Sequence, residues 1–381
     1  MTACTILTAD RIFDGDMFHE ETALVLAEGR IVALTALGDL PSGASVTHTG
    51  AAVLCPGFVD WQVNGGGGVL FNETPTADGA AAMARAHLAF GTTALLPTII
   101  TDHEAVTEAA AEAISNALRT GHPGIVGIHF EGPHLSVEKC GVHDPGLFRP
   151  LCPADMRRYT RRDLGKVVVT LAPENASHAD IETLAAHDVI VSLGHTNADY
   201  ETAHAAFRAG ASAVTHVFNA MASLHHRKPG LIGAAMERAD IWCGLIADGH
   251  HVHAAVLKML MAAGPVDRMT LVTDAMSTVG VSADTFSLNG RTVTRANGRL
   301  TVAGGTLAGS DLDMMSAVRF TVHHCGQPLE RALQMASRNP ARMLGLTDRG
   351  RFAPGARADI LALDSALNLT GIWLGGEPVA P

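Results

Sequence analysis

Two hydrophobic rhythms divide the chain. From Thr5 to about Val53 short alternating segments are broken by turn residues: apolar residues 23–26 run into Glu28-Gly29-Arg30 and then into apolar residues 31–34. The far end, Ala358 to Val379, repeats the style at 359–364 and 371–376. Alternation over a few residues is the period of a strand with one buried face. The two ends together predict one small β-sandwich, residues 1–54 with 355–381. In between, continuous apolar runs alternate with Ala-rich helical stretches; the runs fall at 53–60, 93–98, 124–130, 167–173, 189–194, 213–218, 243–248 and 270–275. Val/Ile/Leu runs without polar alternation are what parallel strands buried on both faces require. Eight of them interleaved with helices predict a (β/α)8 TIM-like barrel over 55–354.

An open doubly wound sheet is the competing fold. Against it, no GxGxxG follows the first run, and polar residues gather at the ends of many runs rather than at one switch point. After the eighth run, residues 286–305 contain Asn289-Gly290 and Asn297-Gly298, two hairpin-turn dipeptides, and predict a β-hairpin insertion. Helical segments at 310–325 and 329–344 then close the barrel.

Composition narrows the function. A net charge of −11 argues against an extended nucleic-acid surface. The six cysteines are scattered without a CxxC pair, so neither a disulfide scaffold nor a zinc ribbon is indicated. Asp10, Asp14 and Asp16 interrupt the start where a signal peptide needs an apolar core, and no apolar run approaches ~18 residues. The expectation is a soluble, cytoplasmic protein. Histidine, at 20 residues, outnumbers tyrosine and tryptophan together, and it is the commonest metal ligand.

Barrel active sites form at the carboxyl ends of the strands. There the third run ends in His129 and Glu131, the fifth in His195, the sixth in His216, the seventh in Asp248 followed by His250 and His251, and the eighth in Asp274. A single histidine at a strand end is most often satisfied by a backbone carbonyl, but coincidence across successive strands is uncommon. One carboxylate and two imidazoles, Glu131, His195 and His216, make a suitable ligand set for a divalent metal with open positions. Asp274 has a bland reading as a helix cap and a chemical one as general base and then general acid.

At this point the segments 56–68, HFEGPH (129–134), GVHDPG (141–146), LGHTNA (193–198), THVFNAM (215–221), RKPGLIG (227–233), IADGHHV (246–252), LVTDAM (271–276) and GGTLAGS (304–310) together resemble the N-acetylglucosamine-6-phosphate deacetylase family of the amidohydrolase superfamily, over nearly the whole chain. The resemblance implies hydrolysis of N-acetylglucosamine 6-phosphate to glucosamine 6-phosphate and acetate in amino-sugar catabolism and cell-wall recycling. It implies that Glu131, His195 and His216 hold the metal, that Asp274 moves the proton, and that His143 beside Val142 donates to the carbonyl oxygen. It further implies that Asn219, Ala220, Asp248, His251 and Arg227 hold the sugar phosphate, with Arg227 reaching across a homodimer interface, and that Leu307, Ala308 and Gly309 line the sugar. Most superfamily barrels carry HxH at the end of the first strand, where this chain has Gln62-Val63-Asn64. Two imidazoles are missing, so one divalent ion per subunit is expected: zinc first, with iron, cobalt or manganese as alternatives. Cys140 near His143, and His225 and His226 beside Arg227, are suggestive only. A cyclic-amide hydrolase on the same barrel is disfavoured by the missing HxH and because binuclear relatives carry a carboxylated lysine at the end of the fourth strand, whereas here Lys166 precedes that run and Glu174 follows it. A non-catalytic relative is disfavoured because all four central residues are present.

Overall fold

Eight parallel strands form one sheet in chain order: β1 (Phe58–Val63), β2 (Thr92–Ile100), β3 (Gly127–Glu131), β4 (Lys166–Leu171), β5 (Ile190–Leu193), β6 (Ala213–Val214), β7 (Trp242–Leu245) and β8 (Met269–Leu271). Each pairs with the next. The ends of the sheet meet where Val63 bridges Ala275 and the Asp274 N–H donates to the Gln62 carbonyl at 2.9 Å, so the sheet closes into the expected barrel. The structure is a computed structural model and describes residues 4–40 and 45–379; residues 1–3, 41–44 and 380–381 of the terminal module lie outside the described residues.

A helix follows every strand: α1 (Ala77–Leu88), α2 (Glu104–Arg119), α3 (Pro153–Tyr159), α4 (His178–Ala186), α5 (Tyr200–Arg208), α6 (Gly230–Met236), α7 (Ala254–Ala263) and α8 (Met314–His323). Local chemistry starts several of them. Thr76, Ser177, Asp199 and Asp313 each accept a backbone N–H in the first turn of the following helix, satisfying donors that have no partner within it. Inter-strand packing is tight enough that a Cβ at Gly127 would lie 1.8 Å from the Lys166 carbonyl oxygen. Only glycine lets β3 and β4 approach there.

The termini form two sheets, one of four strands and one of six, with Leu7, Ile12, Leu24, Leu26, Leu54 and Ile360 in the core between them. This is the sandwich expected from both ends. One expected barrel run, 53–60, divides between the two bodies. Val53–Pro56 pairs with Ile360–Leu363 and Arg11–Phe13 in the sandwich, and the barrel begins at Phe58. An apolar run does not say which sheet takes it, and Gly57 makes the switch against Thr93, which a Cβ would strike at 2.1 Å.

The insertion has four antiparallel strands, Thr285–Leu288, Arg291–Ala296, Arg299–Thr301 and Leu307–Ser310, rather than a hairpin ending at 305. Asn289-Gly290 and Asn297-Gly298 make its turns, all four residues at positive φ. Because the last strand reaches Ser310, the expected helix 310–325 starts at Met314. The expected helix 329–344 breaks into Leu329–Ala336 and Arg338–Met343. Pro340 has no N–H for the Ala336 carbonyl and its ring crowds that oxygen. Among the described residues no helix is long and apolar enough to cross a membrane.

Candidate active site

Glu131 is the last residue of β3, and His195 and His216 stand two residues beyond β5 and β6. Their side chains converge: His216 Nε2 lies 3.0 Å and His195 Nε2 3.3 Å from Glu131 Oε1, and the two Nε2 atoms are 3.1 Å apart. All three residues are buried, and among the described residues they form the one cluster arranged to hold a metal ion. His195 Nδ1 lies 2.8 Å from the Lys139 carbonyl, which can only accept, so Nδ1 carries the hydrogen and Nε2 keeps its lone pair for the centre. Electrostatics agree with the geometry. Burial works to raise the Glu131 carboxyl, but hydrogen bonds and charges of His195 and His216 outweigh it and hold it well below the usual carboxylate range. Burial likewise opposes a cation at His216, yet the Glu131 hydrogen bond and charge raise its pKa. The cluster favours positive charge at its centre, and its one-carboxylate, two-imidazole donor set fits a divalent ion.

Asp274 closes the ring of strands opposite this cluster. Asn64 Nδ2 donates to its Oδ1 at 2.7 Å, and Gln62 Nε2 bridges Asp274 Oδ1 and Glu131 Oε1 at 3.2 Å each. Burial, followed by the Glu131 charge, raises the Asp274 pKa, the direction that brings a carboxylate closer to the range useful for proton transfer. Behind it, Thr273 Oγ1 donates to Asp60 Oδ2 at 2.6 Å, and Ser310 donates to the Thr273 and Asp274 carbonyls at 2.5 and 2.9 Å. His195, His216 and Asp274 hold φ values of 48°, 28° and 51°. Left-handed backbone at non-glycine residues costs energy and concentrates where function demands a particular orientation.

His143 sits in the loop after β3, buried. Its Nδ1 lies 2.9 Å from Thr101 Oγ1 and accepts from the Thr101 N–H at 3.4 Å, which assigns the ring hydrogen to Nε2. Burial, reinforced by His195, pulls its pKa down to about 3, so it is a neutral donor. His251 is fixed by a 2.6 Å contact from Nδ1 to Asp248 Oδ2.

Most of the expected residues surround a single cavity of about 350 Å³, lined by Glu131, His195, His216, Asp274, His143 and Val142 together with Asn219, Ala220, His251, Leu307 and Gly309. Gln62, Asp248 and Ala308 are not on its wall: Gln62 and Asp248 are tied to residues that are by the bonds just given, and Ala308 is fully buried in the core of the insertion with Leu288, Val293 and Leu300. Cys140 is half-buried with its thiol toward the Gly141 carbonyl, off the cavity wall. Arg227 and His225 line a different cavity with Asn197 and Tyr200, so a single chain does not bring Arg227 to the site. His129 faces the barrel interior, bonded to the Trp61 carbonyl and Thr170 Oγ1, and burial lowers its pKa to about 4. Residue-by-residue reading gave no role to Asn64 beyond its place where relatives carry HxH, and none to Asp60 or Lys139. For the first two a signal existed: Asp60, Gln62 and Asn64 recur at every second position, one face of β1 and its extension. Lys139, on the cavity wall, carried none.

Fold and site define a (β/α)8-barrel hydrolase whose buried aspartate faces a donor set for a divalent ion. Residues 53–379 match the amidohydrolase family, and the chain belongs to it. It is 42% identical over 360 residues to an N-acetylgalactosamine-6-phosphate deacetylase of Shewanella sp. (strain ANA-3), covering 94% of this chain and 91% of that one. It is 36% identical over 348 residues to N-acetylglucosamine-6-phosphate deacetylase of Mus musculus, covering 87% and 84%. Among solved structures, N-acetylglucosamine-6-phosphate deacetylase from Pasteurella multocida superposes with a TM-score of 0.95 at 32% identity, covering 99% of this chain and 100% of that one. A variant of the Mycobacterium smegmatis enzyme in complex with N-acetyl-D-glucosamine-6-phosphate gives 0.92 at 35%, covering 99% of each.

Proposed function

We propose that this chain hydrolyses the acetamide of N-acetyl-D-glucosamine 6-phosphate to D-glucosamine 6-phosphate and acetate. The observation that carries this reading is the convergence of Glu131, His195 and His216 opposite Asp274, with His143 alongside, around a cavity of about 350 Å³. That volume suits one small phosphorylated sugar. Relatives that share the fold over almost their full length act, by name, on N-acetylhexosamine 6-phosphates.

Glu131, His195 and His216 would hold one divalent ion, with zinc the first expectation and iron, cobalt or manganese the alternatives. Bound there, it supplies Lewis acidity, which polarises the amide carbonyl and makes water easier to deprotonate. Asp274, held by Asn64 and Gln62, takes a proton from the attacking water and passes it to the departing amine nitrogen. His143 Nε2 donates a hydrogen bond to the carbonyl oxygen as negative charge grows on it. Asn219, the backbone at Ala220 and His251 hold the sugar phosphate. Arg227, from the second subunit of a homodimer, completes that phosphate site, and its guanidinium fork suits the anion. Leu307 and Gly309 form the wall against the sugar, with Ala308 buried between them. A Cβ at Gly309 would meet Met276 Cγ at 2.6 Å, so only glycine fits at this point of the wall.

The test is acetate release from N-acetylglucosamine 6-phosphate by purified protein supplied in turn with zinc, iron, cobalt or manganese. No release with any of them would sink the reading. The galacto epimer is a second reading, favoured by the 42% identity to the Shewanella deacetylase. The acetamide chemistry is the same and only the C4 hydroxyl differs. A kcat/KM more than about tenfold higher for N-acetylgalactosamine 6-phosphate, a ~1.4 kcal/mol preference, would move the assignment to that epimer.

A further inference from the structure

A second cavity, of about 510 Å³, lies under the amino ends of β7 and β8, at the opposite end of the barrel from Glu131 and Asp274. Its wall carries five guanidinium groups, Arg268, Arg338, Arg342, Arg349 and Arg351, against one carboxylate, Asp16. That concentration is notable in a chain of net charge −11. The five come from separate elements: Arg268 immediately precedes β8, Arg338 and Arg342 stand one turn apart on Arg338–Met343, and Arg349 and Arg351 lie on the return to the sandwich.

Carboxylates neutralise only part of this charge. Arg338 pairs with Asp16 and with Asp267 at 3.4 Å, and Arg349 pairs with Asp359 at 2.8 Å and Asp348 at 3.8 Å. The other three have no carboxylate ion pair among the described residues. Arg268 Nε donates to the Ala239 carbonyl at 3.1 Å and its guanidinium lies 4.4 Å above the Trp242 ring. Arg351 Nη2 donates to the Thr347 carbonyl at 3.1 Å. The Arg342 side chain makes no hydrogen bond or ion pair with any described residue, and it is exposed. Like charges gathered on one concave wall raise its positive potential and draw an anion to it. Guanidinium forks match phosphate oxygens bidentately, and the recess has room for a molecule of hexose-phosphate size.

We propose that this cavity is a second anion site, distinct from the catalytic one, which takes a small phosphorylated molecule. Calorimetric titration tests it with two probes, inorganic phosphate and D-glucose 6-phosphate, on the metal-loaded protein and on an Arg342→Ala/Arg351→Ala variant. The expected result is a binding event in the parent whose Kd rises at least about tenfold in the variant, while kcat and KM for the acetyl-sugar stay within about twofold. An Arg342→Lys/Arg351→Lys variant keeps the charge and should retain intermediate affinity. Loss confined to one probe identifies the ligand as free phosphate or as a phosphosugar. Superimposable titrations of parent and Ala variant, or no binding of either probe beyond the catalytic site, would overturn the proposal.

Discussion

At the scale of single residues, the site's chemistry rests on side chains whose ionisation the fold has shifted. Asp274 is buried, raised in pKa and oriented by two amides. Asp274→Asn removes the proposed proton carrier while leaving Glu131, His195 and His216 intact. The expected outcome is a kcat lowered by about 10²–10⁴ with metal content unchanged, read by steady-state kinetics and elemental analysis. His143, with its pKa at about 3, stays neutral across the working range and contributes no limb to the pH–rate profile above pH 5. His143→Ala should still lower kcat by about 10²–10³ through loss of its donor. A His143-dependent limb near neutral pH would contradict that role. Asp60 supplies a test of stability. Burial raises its pKa to about 7 against hydrogen bonds from Thr273, so the folded state binds its proton more tightly than the unfolded chain does. Its contribution is therefore complete below pH ~4 and lost as pH rises through about 7. Asp60→Asn should flatten that part of the stability profile, measured as urea midpoints from pH 5 to 8.

At the scale of elements, the loop after β3 is where sequence and chemistry meet least obviously. It carries His143 and leads into α3, whose first turn holds Asp155, a fully buried carboxylate that accepts from Arg149 Nη2 at 2.7 Å, Arg158 Nη1 at 3.1 Å and the Cys152 N–H at 3.1 Å. Burial works against this charge, but the Arg149 hydrogen bond leads the effects that lower its pKa to about 2. Asp155→Ala leaves Arg158, itself nearly buried, without that partner, and should cost about 3 kcal/mol in chemical denaturation. Arg158 also pairs with Glu104 at 3.2 Å and Glu108 at 2.7 Å, and full stability in that variant would show that these two alone satisfy it. From the other side of the site, the insertion reaches the same loop through Arg291, bonded to the Val142 carbonyl, and reaches His250 through Arg299 at 3.1 Å.

At the scale of the whole molecule, the separation of Arg227 from the cavity makes the proposed dimer testable. Asp274→Asn and Arg227→Ala proteins, each nearly inactive, should regain about a quarter of parental activity when unfolded and refolded together. In the mixed dimer one site then has both an intact Asp274 and the partner's intact Arg227. No regain would place Arg227 outside the neighbouring site. Metal removal by a chelator should abolish activity and lower the melting temperature, since whatever binds only the folded state stabilises it.

The amino-acid pattern alone determined much of this protein. Uninterrupted Val/Ile/Leu runs signal strands buried on both faces, so the barrel and the strand ends bearing Glu131, His195, His216 and Asp274 were legible without coordinates. The turns at Asn289-Gly290 and Asn297-Gly298 were legible because a hairpin needs positive φ there and few residues tolerate it. Other features required the tertiary structure. Residues 53–60 are equally apolar in either sheet, and only the pairing of Val53–Pro56 with Ile360–Leu363 divided them. The bonds from Asn64 and Gln62 to Asp274 span more than 200 positions and exist because the barrel closes. The five arginines at the barrel's lower end leave no pattern in the chain, since a cavity's charge depends on which distant segments the fold packs side by side.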